Sequence, residues 1–171
     1  GLDVGIRDYV EAFVKPYYAA AVDWYETVGI GVAGGDVFSR IGHHFEDRPF
    51  HPLLNPGHLI HLDEWVHSSI QPGAQETLRS GMALQLDIIP VHKNPAYFTT
   101  NVEDGIGLAD GALRDELAQK HPDMWARVQA RRKFMKESLG INIREEVLPF
   151  SNMPGVLRPY LLTPQKALRA I

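Results

Sequence analysis

The run Met82 to Ile89, within SGMALQLDIIP, limits the possible folds more than any other stretch of the chain. Apolar side chains fill most of its positions rather than every second one. That is the pattern of a strand covered on both faces, which needs paired neighbours and something packed above and below it. One carboxylate, Asp87, interrupts the run. A carboxylate is rarely buried without a partner. Asp87 therefore caps the strand end before Pro90, pairs with an arginine, or ligates a metal ion.

The segments around this strand alternate in character. Residues 8–28 place Val10, Phe13, Val14, Tyr17, Ala21, Trp24, Tyr25 and Val28 at helical spacing, which marks one buried stripe. Pro16 inside it predicts a kink or a break into two helices. Asp36, after a glycine-rich stop, reads as the cap of a second helix through about His43. Residues 45–57, with Pro49, Pro52, Pro56 and Gly57, read as loop, and 58–66 as a short strand. A polar turn region covers Ile70 to Ser80. Tyr97 to Leu108 reads as two short strands broken near Asp104-Gly105. Helices are expected over Gly111 to Lys120 and Pro122 to Leu139, the second opened by Pro122 and stopped by Gly140. Ile141 to Leu148 alternates like a strand. The proline-rich tail reads as an extended covering segment, with a turn at 149–152. Helices, strands, helices and a strand in that order argue an α+β fold.

A length of 171 residues suits one domain with a real core. The formal net charge of −4 removes the electrostatic case for a nucleic-acid partner. With no cysteine, a disulfide framework, a thiolate zinc site and a cysteine nucleophile are all excluded. No apolar run approaches the roughly 20 residues of a membrane span. The first residues lack the basic and apolar regions of a secretion signal, and there is no initiator Met. The expectation is a cytoplasmic domain over residues 1–171 that forms the C-terminal part of a longer chain.

The chemistry-bearing residues are unevenly spread. Six of the eight histidines (43, 44, 51, 58, 61 and 67) fall in one 25-residue window. Within it, Asn55 to His67 brings three histidines and two carboxylates together just after a Pro/Gly turn. On a strand, His58 and His61 point to opposite faces, so regular geometry does not let them share an ion. His58 is either a core histidine beside a turn or a ligand. Glu103-Asp104 before Gly105 is either a turn, in which Asp104 does the work and Glu103 is solvated, or a source of ligands. A neutral imidazole with carboxylates from separate strands is a ligand set for a divalent metal. Arg127, Arg131, Arg132, Lys133 and Lys136 read as a solvated face of the late helix.

Three of these segments, in order, resemble the metal-dependent aminopeptidases of the pita-bread fold: the Xaa-Pro aminopeptidase, prolidase, methionine aminopeptidase and creatinase family (peptidase family M24). PGHLIHLDEWVH resembles the family's segment around its ligand histidine. LRSGMALQLDIIP resembles its Gly-Met strand, and NVEDGIGLAD its final strand. The resemblance covers about residues 16–110. It implies a curved antiparallel sheet with helices on its outer face and the site on the concave face. It assigns His58, Asp87 and Glu103 as metal ligands, Asp87 also as acid/base, and His61 or His67 as the substrate-contacting histidine. The implied cofactor is a divalent ion, manganese, cobalt or zinc, and the implied substrate a small peptide. A homo-oligomer is also expected. This chain departs from the pattern at several points. Asp87 stands where the family has glutamate. Trp65 stands where its second histidine would fall. Of the two aspartates before the first helix, only Asp3 has a counterpart, and the second would fall at Val14. Those departures leave open a pita-bread module that binds without catalysis, or a creatinase-like hydrolase that uses His67 without a dinuclear metal.

Overall fold

The protein was analysed as a computed structural model, which describes residues 6–61, 68–98, 100–160 and 162–171. The Asp3, Trp65 and His67 assignments lie outside the described residues. A π-helical stretch, Tyr9–Val14, runs directly into helix α1, Lys15–Thr27. Pro16 sits at the junction, in the first turn of α1, and Val14 and Lys15 keep right-handed helical backbone across it. The proline thus marks a change of helix type, not a break in the chain path. Tyr17, Ala20, Ala21, Trp24 and Tyr25 give α1 its buried stripe. Helix α2, Gly34–Gly42, begins two residues before the expected cap: Ala33 takes the N-cap position, and Asp36 lies in the first turn.

Six strands follow among the described residues: β1 Phe50–Pro52, β2 His58–Leu59, β3 Ala83–Asp87, β4 Pro90–His92, β5 Glu103–Leu108 and β6 Val147–Pro149. They form a two-stranded sheet, β1-β4, and a four-stranded antiparallel sheet in the order β2-β3-β5-β6. The architecture is therefore α+β, with antiparallel sheets. The run at 82–89 does supply an interior strand. β5, however, passes through Asp104-Gly105 without the expected break, because its pairing with β3 is continuous from Asp87↔Glu103 to Ala83↔Gly107. β1 arises where loop was expected, and β4 in a stretch between two expected strands. Of the expected strand at 141–148 only the end pairs, although Ile141 and Ile143 still bury in the core.

The main core lies between α1, α2 and one face of the four-stranded sheet, with Leu84, Leu86 and Ile106 facing Tyr17, Trp24 and Tyr25. Helices α3, Gly111–Lys120, and α4, Pro122–Lys133, pack on a second, smaller cluster of Ala109, Val128 and Leu148. Asp110 caps α3 by accepting from the Leu113 N–H. The late basic run is not uniformly solvated. Arg132 is buried and donates to the carbonyls of Arg144 and Val147. It sits four residues after Val128, on the inward stripe of the helix.

Asp23 ties α1 to α2. Arg40 Nε donates to both of its carboxylate oxygens, at 3.0 and 2.9 Å, and His44 Nε2 lies 2.8 Å from Oδ2. Burial alone would raise the Asp23 pKa, but the Arg40 and His44 contacts outweigh it and hold the carboxyl below its ordinary range. A lowered folded-state pKa stabilises above the unfolded value of about 4, and the stabilisation fades as pH falls through the folded value. Asp23→Ala should cost about 1 kcal/mol at neutral pH. In urea melts at stepped pH, the gap from the parent protein should close below about pH 4.

Gly34 packs so closely on the Ser69 carbonyl that a Cβ there would overlap the oxygen, whereas Gly42 faces open space. Gly34→Ala should therefore destabilise by about 1–3 kcal/mol. Gly42→Ala, in right-handed helical backbone, should be neutral or stabilising by up to about 1 kcal/mol. Paired denaturant titrations check both.

Candidate functional site

The strand registers sort the chemistry-bearing residues onto two faces of the four-stranded sheet. Directly paired residues share a face, and alternate residues along a strand return to it. One row joins Asp87 to Glu103. The next joins His58 to Gln85 to Gly105. Phe150 extends that row, since its N–H donates to the Gly105 carbonyl at 2.8 Å. A third row joins Ala83 to Gly107 to Leu148, and Ile60 reaches it through its N–H on the Ala83 carbonyl at 2.9 Å. His58, Asp87 and Glu103 thus lie on one face, the one turned away from α1.

His58 and Asp87 are the close pair. His58 Nε2 lies 3.8 Å from Asp87 Oδ2, and each side chain is 3% exposed. His58 Nδ1 lies 2.9 Å from the Leu59 carbonyl. A carbonyl can only accept, so Nδ1 carries a proton and donates it to Leu59, and Nε2 is the ring nitrogen on the Asp87 side. Metal-ligating histidines are commonly fixed in this way, with the second nitrogen donating to a backbone carbonyl. Glu103 is exposed beside Asp87. His61 lies past the end of β2 and is exposed, whereas His58 is buried.

The donor chemistry of His58, Asp87 and Glu103 suits a divalent ion. Even so, among the described residues no three His, Cys, Asp or Glu side chains are gathered closely enough to enclose one. His58 and Asp87 converge, and Glu103 supplies a carboxylate from the adjacent strand.

Asp104 occupies the opposite face and plays a part that its place before a glycine does not reveal. It is buried, accepts from the Tyr25 hydroxyl at 2.5 Å, and accepts from the Gly155 N–H at 2.7 Å. Tyr18 donates to the Gly155 carbonyl at 2.9 Å, and Tyr17 OH accepts from the Val102 N–H at 2.5 Å. Gly155 adopts φ +72°, and a Cβ there would lie 2.6 Å from Ile141 Cδ1, so the turn fits only glycine. Burial, then the Asp104 charge, raises the Tyr25 phenol well above its ordinary pKa. Tyr18 is pushed up to about 12, again mainly by burial. Tyr17 moves in the same direction.

The chain matches no protein-family model and no curated protein. Among the described residues no helix is long and apolar enough to cross a membrane.

Removing the Tyr25 hydroxyl takes one of two hydrogen bonds from a buried carboxylate. Tyr25→Phe should cost about 1–3 kcal/mol in a denaturant titration. The folded-state phenols stay protonated to higher pH than unfolded ones. Stability of the parent protein should therefore fall as pH rises past about 10.

Proposed function

We propose that this chain is a metal-dependent hydrolase of the Xaa-Pro aminopeptidase or dipeptidase type, built on a pita-bread scaffold. The observation that carries the reading is the convergence of His58 Nε2 and Asp87 Oδ2 at 3.8 Å, with Glu103 paired to Asp87 on the same sheet face. His58, Asp87 and Glu103 would hold a divalent ion, manganese, cobalt or zinc. Such an ion, when bound, supplies Lewis acidity and lowers the pKa of water. The Leu59 carbonyl fixes the His58 tautomer so that Nε2 stays a donor atom. Asp87 is the acid/base group. It accepts the proton that water loses on attacking the peptide carbonyl and returns it to the departing amine nitrogen. Exposed His61 is the described histidine available to contact substrate.

One observation favours a second reading. The His58 and Asp87 side chains are almost fully enclosed, and a catalytic pair has to meet its substrate. On that reading the scaffold is a binding or interaction module, and the pair is internal structure.

One experiment separates the two readings. Purified full-length protein is loaded with manganese, cobalt or zinc, dialysed, and assayed for bound metal and for cleavage of Xaa-Pro dipeptides. The hydrolase should retain one divalent ion per chain and release proline. His58→Ala should lower metal affinity by at least the roughly 10- to 100-fold that loss of an outer-shell partner already costs. Protein that retains no metal and cleaves no dipeptide under any of the three ions excludes the hydrolase.

A further inference from the structure

The sheet face that carries His58, Asp87 and Glu103 also carries an apolar shelf. Phe150 is 46% exposed and Ile60 41% exposed, although both are large hydrophobic side chains. They meet over the glycines of β5. A Cβ on Gly107 would lie 2.5 Å from the Phe150 ring, and one on Gly105 would lie 3.4 Å from Ile60 Cδ1 and 3.8 Å from Phe150 Cβ. The two glycines leave room for the aromatic ring to lie flat on the strand. Three hydrogen bonds hold the shelf in place: Phe150 N–H to the Gly105 carbonyl, Gly105 N–H to the Ser151 side-chain Oγ at 3.1 Å, and Ile60 N–H to the Ala83 carbonyl.

Position and charge narrow the occupant. Phe150 pairs with Gly105, two residues along β5 from Glu103, which makes Phe150 and Glu103 diagonal neighbours about 7–8 Å apart. That is about the reach of one amino-acid side chain. The positions that form the shelf and its floor, Ile60, Ala83, Gln85, Gly105, Gly107 and Phe150, carry no charge. A charged side chain lying on these positions would lose hydration, and none of the six offers it an opposite charge. The acidic row ends at Glu103, and the apolar rows begin beside it.

We infer that Phe150 and Ile60 form a specificity subsite. It receives a large apolar side chain of a short peptide whose adjoining backbone lies at Glu103, the exposed carboxylate of the neighbouring row. This rests on the hydrolase reading for the identity of the bound backbone, but not for the existence of the shelf. Phe150 and Ile60 set which residue is held, and neither takes part in bond cleavage.

The test reads binding and turnover separately on full-length, metal-loaded protein. The binding probes are non-cleavable reduced-bond analogues of Leu-Pro, Phe-Pro, Asp-Pro and Lys-Pro, titrated by calorimetry. The parent protein should bind the Leu and Phe analogues on the order of tenfold more tightly than the Asp and Lys analogues, the scale of one well-buried apolar contact. Phe150→Ala should remove that preference and leave the charged analogues unchanged. Phe150→Leu should keep most of it. Ile60→Ser, at an exposed position, gives an independent variant should Phe150→Ala melt at a lower temperature than its parent. In turnover, the loss should appear in KM for apolar substrates with kcat little changed. Equal affinity for all four analogues, or a preference that survives both Phe150→Ala and Ile60→Ser, overturns the subsite. Selective binding without cleavage retains the subsite and removes the hydrolase. Cleavage without selectivity does the reverse.

Discussion

The arrangement of the candidate site depends on one buried carboxylate, Asp104. Its hydrogen bonds to Tyr25 OH and Gly155 N–H fix which face of β5 turns toward α1. A strand has a period of two, so a slip of one residue would turn Asp104 outward and bring Glu103 under the helix. Both changes are unfavourable. Asp104 would lose two charge-assisted hydrogen bonds, and Glu103 would enter an apolar layer with no matching donor. The same contact links three parts of the chain: α1 through Tyr25, β5 through Asp104, and the tail through Gly155, whose carbonyl also accepts from Tyr18. Once that register is set, Glu103 stands beside Asp87, and Gly105 and Gly107 lie beneath Phe150 without further adjustment.

The two faces of the sheet thus do different work. Toward α1 and α2 the strands present Leu84, Leu86 and Ile106 to a continuous core. The other face carries His58, Asp87 and Glu103 in adjacent rows, with the uncharged, exposed Ile60 and Phe150 beside them. Ile60 and Phe150, large apolar side chains left exposed, forgo the stabilisation that burial would give them. Proteins tolerate such arrangements where a ligand supplies the missing contacts.

Much of the scaffold was legible in the sequence, and the reasons lie in particular residues. The apolar run around Leu84 to Ile88 could only be an interior strand. The spacing of Tyr17, Ala21, Trp24 and Tyr25 could only be one face of a helix. His58, Asp87 and Glu103 were individually visible as out-of-place polar groups, and the structure puts them on one face. Asp104 was misjudged because Asp-Gly is a strong turn signal. Its partners lie 79 and 51 residues away, at Tyr25 and Gly155, and nothing local records them. Arg132 was hidden among like charges, and only its spacing from Val128 marks it as inward. The alternation at 141–148 suggested a strand, yet Ile141 and Ile143 bury without ladder partners, because burial and β-pairing leave the same periodic trace. Phe150 carried no signal at all. Its role comes from two glycines on another strand.

The proposed hydrolase requires His58, Asp87 and Glu103 to act as one cation-binding corner on the face of the β3–β5 ladder turned away from α1. Paramagnetic broadening of backbone amide resonances during a substoichiometric manganese titration tests it most directly. His58, Asp87 and Glu103 should broaden first, followed by Gly105 and Phe150, with α3 unaffected. Broadening that begins at exposed helix acids such as Glu116 and Glu137, and leaves His58 and Asp87 sharp, would contradict it.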